Sequence, residues 1–211
     1  MVSHKKMASA VLDDLRDLPP ETFASKRIFE AIPHVFGGDL DLYVEWKAVL
    51  GGQIDVDPRA VTIAGSAGVG ISLNPMKNLA AFHDQSDIDV AVVSAYHFDV
   101  AWRHLRLLPA ATRMGLKPPQ RASLKDHVNR LVYWGAIATD RILELFPFAK
   151  EWVIALSNMA GIDPTMGRDI NVRIYKDFDA LRAYQLQGVR TGRAYLLANP
   201  VPPTAKATRT P

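Results

Sequence analysis

Two hydrophobic rhythms alternate along this chain. In "AVTIAG" (residues 60–65), "IDVAVVS" (88–94) and "DINVRIY" (169–175), apolar residues are dense or fall on every second position, which predicts short β-strands. In the last of these, Ile170, Val172 and Ile174 point one way, and Asp169, Asn171, Arg173 and Tyr175 the other. Elsewhere the period is helical. Phe98, Ala101, Trp102, Leu105 and Leu108 form one apolar stripe, opposite Asp99, Arg103 and Arg106. Leu124, Val128, Leu131, Ile142 and Leu145 suggest a long helix opening at Ser123, where Ser123 and Asp126 resemble a capping box. A further helix follows near 147–159, and a final one spans about 177–197.

The N-terminal part is helical throughout. Pro19-Pro20 separates a helix at about 9–18 from a second near 21–31, and "DLDLYVEWKAVL" forms a third, ending at Gly51-Gly52. Strands separated by helical blocks make a mixed α/β (α+β) domain: a small mixed sheet surrounded by helices, with helices at both ends. We expect one domain over 1–198, with a helical part at 1–58, a core at 59–178 and a C-terminal helix at 179–198. The Pro-, Thr- and Ala-rich end, 199–211, reads as a disordered tail.

The 211 residues suffice for one sizeable core. No cysteine is present, which excludes disulfides, thiolate metal sites and a cysteine nucleophile and fits a cytoplasmic protein. The opening residues turn acidic too early for a signal peptide, and no apolar run approaches the roughly 20 residues that span a bilayer, so no membrane role is expected. The net charge of +3 permits a nucleotide or nucleic-acid partner without requiring one.

The chemistry concentrates around "AGSAGVGIS" (64–72) and "SDIDVAVV" (86–93). Gly65-x4-Gly70-Ile71-Ser72 has the spacing of a phosphate-binding P-loop, but Ile71 stands where its lysine belongs. The dinucleotide pattern fails as well, because Leu73 stands where Gly or Ala is needed. What remains is Gly65-Ser66 after one strand and Asp87-Ile88-Asp89 opening the next. Residues i and i+2 share a strand face, so Asp87 and Asp89 project together. Two adjacent carboxylates repel, and a shared hard cation, Mg²⁺ or Mn²⁺, keeps both ionised. Gly65 admits close backbone approach to a phosphate, and Ser66 adds a hydroxyl.

These residues resemble the DNA-polymerase-β-like nucleotidyltransferases, of bacterial type: "IAGS" matches their Gly-Ser turn and "SDIDVAVV" their Asp-hydrophobic-Asp strand. The resemblance covers about 60–175. It implies two metal ions, an NTP donor (ATP foremost) and release of pyrophosphate. It implies that Gly65 and Ser66, with Gly68, Ser72 and Lys77 from the same loop, hold the nucleotide, while Asp87 and Asp89 bind metal. The 20 residues 67–86 make an unusually long connection, carrying Lys77 and His83. The family's third carboxylate lies on a later strand. In "DINVRIY" its position is taken by Asn171, with Arg173 at the family's arginine position, and Asp169 is the nearest acid on the same face.

The implied function is metal-dependent transfer of an NMP from an NTP to an unidentified acceptor: a small molecule, a protein, an RNA end, or a second nucleotide, as in toxin–antitoxin or defence enzymes. The alternative is a nucleotide-binding module without turnover, motivated by Asn171. A third is a partner-binding protein with a vestigial site. The six histidines show no zinc spacing, and Trp46, Trp102, Trp134 and Trp152 fall in helical patterns and read as core. Arg103, Arg106, Lys125 and Arg130 form a basic face for which nucleic acid is a weakly supported partner.

Overall fold

Each alternating run becomes a strand of one sheet. The structure, a computed structural model, describes residues 4–199, with side chains from residue 8; of the expected tail 199–211, Asn199 caps the last helix with its N–H on the Tyr195 carbonyl, and 200–211 lie outside the described residues. The first half holds α1 (His4–Asp17), α2 (Pro20–Ala24), α3 (Leu40–Ile54), β1 (Val61–Ala64), α4 (Gly65–Val69) and β2 (Ile88–Val93). Then come α5 (Ala95–Leu107), α6 (Ala110–Gly115), α7 (Pro118–Asp126), β3 (Ala136–Ala138), α8 (Ala149–Met159), β4 (Ile170–Tyr175) and α9 (Phe178–Ala198). The class is mixed α+β. None of the described helices is long and apolar enough to cross a membrane.

The sheet order is β1-β2-β4-β3. β1 runs antiparallel to β2, β2 parallel to β4, and β3 antiparallel to β4. One face is the main core: Val61, Ile63, Ile88, Val90, Val92, Ile137, Val172 and Ile174 pack on α3, α5 and α8 through Trp46, Leu50, Phe98 and Trp152. The other face is covered only at one end, where Ala91, Ala136 and Tyr175 meet Leu181 of α9. A second cluster joins Val11, Leu15, Phe23 and Ile28 to Val69, Ile71, Val189 and Leu196. It fixes the N-terminal helices and the loop after α4 to the C-terminal half of α9.

Four expectations change. α3 does not stop at Gly51-Gly52: it runs to Ile54 and ends where Asp55 turns left-handed (φ 55°). Gly51 is retained for contact, since a Cβ there would lie 2.6 Å from the Val56 carbonyl oxygen. The long helix from Ser123 is not formed. Ser123 lies inside α7, a π-turn follows at His127–Leu131, and the chain then reverses into β3. Gly135, left-handed at φ 62°, makes that reversal, and its carbonyl accepts from the Lys176 N–H beyond β4. Val128, assigned to the apolar stripe, is 77% exposed, and Trp134 lies in the turn rather than a helix. The cause is tertiary: three buried residues pairing with β4 outweigh a local helical period.

Candidate functional site

The uncovered end of the sheet gathers most of the residues singled out above. β1 ends at Ala64, which pairs with Asp89 of β2. The chain then turns sharply through Gly65, left-handed at φ 60°. Two features favour glycine here. Its φ is one that L side chains rarely adopt, and a Cβ would collide with the Asp89 carboxylate. Thus the Gly-Ser turn is pressed directly against the acidic strand. Ser66 follows, half-buried, in the first turn of α4.

Asp89 has Asn171 as its direct partner across the parallel β2–β4 ladder, and Arg173 lies two residues further along β4, opposite Ala91. Asp89 is accessible to solvent, yet the protein around it crowds the carboxyl. This desolvation pushes its pKa upward, the charges of Asp87 and Asp140 add to the rise, and Arg173 and Lys77 oppose it. Asp87 sits exposed just before β2. Asp169 sits exposed just before β4, and its carbonyl accepts from the Ile88 N–H.

Arg173 is held by its neighbours rather than by a carboxylate. Its guanidinium lies over the Tyr184 ring, 4.7 Å from the centroid, and its Nε is buried with no hydrogen-bond partner among the described residues. Tyr175 beside it is buried, and desolvation pushes its hydroxyl up to about 12 against the pull of Arg173. That phenol is neutral at physiological pH.

Lys77 ends a 3₁₀ turn, exposed, near enough for its charge to act on Asp89. Two other loop residues have different work. Gly68 faces β1: a Cβ there would lie 2.5 Å from the Ile63 carbonyl oxygen, so this glycine allows α4 to seat on the strand. Ser72 is engaged locally, its hydroxyl accepting from Asn74 N–H at 3.3 Å and its own N–H donating to the Ala80 carbonyl.

A pocket of about 80 Å³ opens over this end of the sheet, lined by Ala64, Asp89, Asn171, Arg173, Tyr175 and Gln185 among others. It also takes in Asp140, which the sequence reading missed. Asp140 is exposed just beyond β3, fixed by Thr139, whose N–H and hydroxyl both donate to the Val172 carbonyl. A second pocket, about 260 Å³, lies on the α7 side and is also lined by Asp140 and Arg173. The two adjoin across this pair and make one cleft.

The cleft offers hard oxygen donors, a hydroxyl, two cations and an amide. Among the described residues, no three His, Asp or Glu side chains group closely enough to hold a metal ion. Asp89 and Asn171 are oxygen donors that line the pocket together, and Asp87, which lines neither pocket, is near enough for its charge to raise the Asp89 pKa. They do not make a three-carboxylate cage for two cations. Comparison of the chain with protein-family models, curated proteins and solved structures gives no match to any of them.

Proposed function

We propose that this protein is a metal-dependent nucleotidyltransferase that moves an NMP from an NTP, ATP foremost, onto an acceptor in the cytoplasm. The observation that carries the reading is the contact of Gly65 with Asp89. A Gly-Ser turn and an acid-hydrophobic-acid strand are brought together with room for nothing between them but the glycine hydrogen.

In this reading Gly65 and Ser66 receive the phosphate chain through backbone N–H and hydroxyl. Lys77 and Arg173, whose charges both act on Asp89, neutralise the charge of the phosphate chain. Asp87, Asp89 and the Asn171 carbonyl hold Mg²⁺ or Mn²⁺, which supplies electrostatic stabilisation of the charge developing on the phosphate oxygens. An acceptor oxygen attacks the α-phosphorus, the α–β anhydride bond breaks, pyrophosphate departs, and Asp140 takes the acceptor's proton. The buried, unpartnered Nε of Arg173 is a donor awaiting an acceptor such as a phosphate oxygen.

The experiment is incubation with each α-labelled NTP and Mg²⁺ or Mn²⁺, with protein, RNA and small-molecule acceptors. Labelled adduct and pyrophosphate are expected. Absence of both under every metal defeats the transferase reading. One specific observation favours a second reading, a binding module without turnover: Asn171, an amide, faces Asp89 where the family resemblance calls for a carboxylate. Calorimetry showing NTP·Mg²⁺ binding without pyrophosphate release would select it.

A further inference from the structure

Charge is distributed very unevenly along this chain. Residues 103–141 hold eight Arg and Lys (Arg103, Arg106, Arg113, Lys117, Arg121, Lys125, Arg130, Arg141) against Asp126 and Asp140, a surplus of six. The whole chain's surplus is three, so everything outside this segment is net negative by three. All eight cations are exposed. Asp126 is already paired with Arg130 at 2.7 Å. The segment is also tied together: Arg113 donates to the Leu108 and Arg106 carbonyls, joining α6 to the end of α5, and Arg121 donates to the Leu116 carbonyl ahead of α7.

This basic stretch borders the larger pocket. On α7, Pro119, Ala122, Ser123 and Asp126 line that pocket at spacings i, i+3, i+4 and i+7, one helix face. On the same helix Lys125 falls next round from Ala122 and flanks that face, while Arg121 lies further round, on the outer side of α7. Arg141 lines the pocket itself, next to Asp140. Large apolar side chains stand exposed among the cations: Leu107 (72%), Met114 (75%), Val128 (77%) and Tyr133 (85%). Exposed apolar and aromatic surface interleaved with cations suits unstacked bases on a phosphate backbone, as in single-strand binding. It suits a small uncharged acceptor poorly.

We propose that the α6–α7 segment and the pocket it borders bind single-stranded nucleic acid and present a strand end to the cleft at Asp140 and Arg173. The delivery to chemistry rests on the transferase reading; the binding does not. The phosphate backbone crosses the outer side of α7 at Arg121 and reaches the pocket past Lys125 and Arg141, and bases lie against the exposed apolar side chains.

The test is fluorescence anisotropy of the full chain, without NTP or metal, against labelled single-stranded RNA, single-stranded DNA and the matching duplex over a salt series. Single strands are expected to bind with affinity falling steeply as salt rises. The pair Lys125→Glu and Arg141→Glu should weaken binding by about tenfold or more and flatten the log–log salt slope by about two. The same charge change at Arg59 and Lys150, exposed positions outside the segment, should alter it by less than about twofold. The RNA and DNA arms identify which strand is preferred. The proposal is overturned if no single strand binds at low salt, if duplex binds better, or if the control reversals weaken binding as much. Circular dichroism of each variant guards against misfolding. Asp89→Asn separates the two readings, because it should end NTP binding and leave strand binding intact.

Discussion

Asp89 and Asn171 are direct partners across a parallel ladder, an acid and an amide side by side on the one part of the sheet that no helix covers. An amide beside an acid supplies an oxygen donor without a second charge. Asn171→Asp places two carboxylates in register. Their repulsion should lower the melting temperature without metal and restore it with Mn²⁺. Calorimetry should show tighter Mn²⁺ binding, and any transferase turnover should rise. Unchanged Mn²⁺ affinity would mean that this pair holds no cation.

Gly65→Ala tests the turn. An L residue at φ 60° costs about 1–2 kcal/mol from backbone conformation alone, and the added Cβ must displace the Asp89 carboxylate as well. Urea denaturation should therefore show at least that loss. Nucleotide affinity should fall further than stability does. A variant as stable as the parent would show that the turn is not held as described.

Asp89→Asn should abolish metal-dependent nucleotide binding without lowering stability. The sign follows from its raised pKa. An acid whose pKa is higher folded than unfolded destabilises the fold at neutral pH, and this cost disappears as pH falls through the folded value. Removing the charge removes the cost, so the melting temperature at pH 7 should match or exceed the parent's. In the parent, nucleotide·metal affinity should begin to fall, on acidification, above the ordinary aspartate range. A parent affinity that is flat down to that range contradicts the assignment.

His127 sets a second pH dependence. Its Nδ1 lies 2.6 Å from the Ser123 carbonyl and must donate, while its Nε2 accepts the Ala138 N–H at 3.1 Å. The ring is thus neutral. Burial lowers its pKa against the opposing pull of the Ser123 carbonyl, Asp126 and Asp140, and burial likewise lowers that of His97. The unfolded chain therefore takes up protons first. Stability is full above the unfolded histidine pKa and should fall from about pH 7 towards pH 5. His127→Gln should melt lower at pH 7.5 and show a shallower fall. A parent melting temperature independent of pH in this window would refute the neutral assignment.

Legibility in the sequence followed the length and regularity of the pattern. β2 and β4 were readable because six residues of alternation distinguish two faces, and the tight turn at Gly65 was readable from residue type. The register that makes Asn171 rather than Asp169 the partner of Asp89 is a property of strand pairing, and no single segment encodes it. β3 was hidden. "AIA" is too short to show a period, and its strand state comes from pairing with β4 and from the His127 bond to Ala138. With β3 unseen, Asp140 was buried in an expected helix. Gly68 has a role that residue type alone does not show: a glycine in a glycine-rich loop reads as a phosphate contact, and only the packing of α4 on β1 shows that a Cβ there would meet the Ile63 carbonyl.

α9 joins both sides of the cleft in one rod. At 21 residues it is about 30 Å long. Near its start Gln185 lines the pocket and Tyr184 carries Arg173. Near its end Gly192 lies so close to the Leu73 carbonyl oxygen that a Cβ would stand 2.9 Å from it, and the Tyr195 hydroxyl donates to Asn78 at 2.7 Å, beside Lys77. The two cations that neutralise Asp89 therefore owe their positions to opposite halves of the same helix. Loss of α9 as a whole therefore removes the support of both flanks of the site together, while fraying at its C-terminal end alone loosens only the flank that carries Lys77.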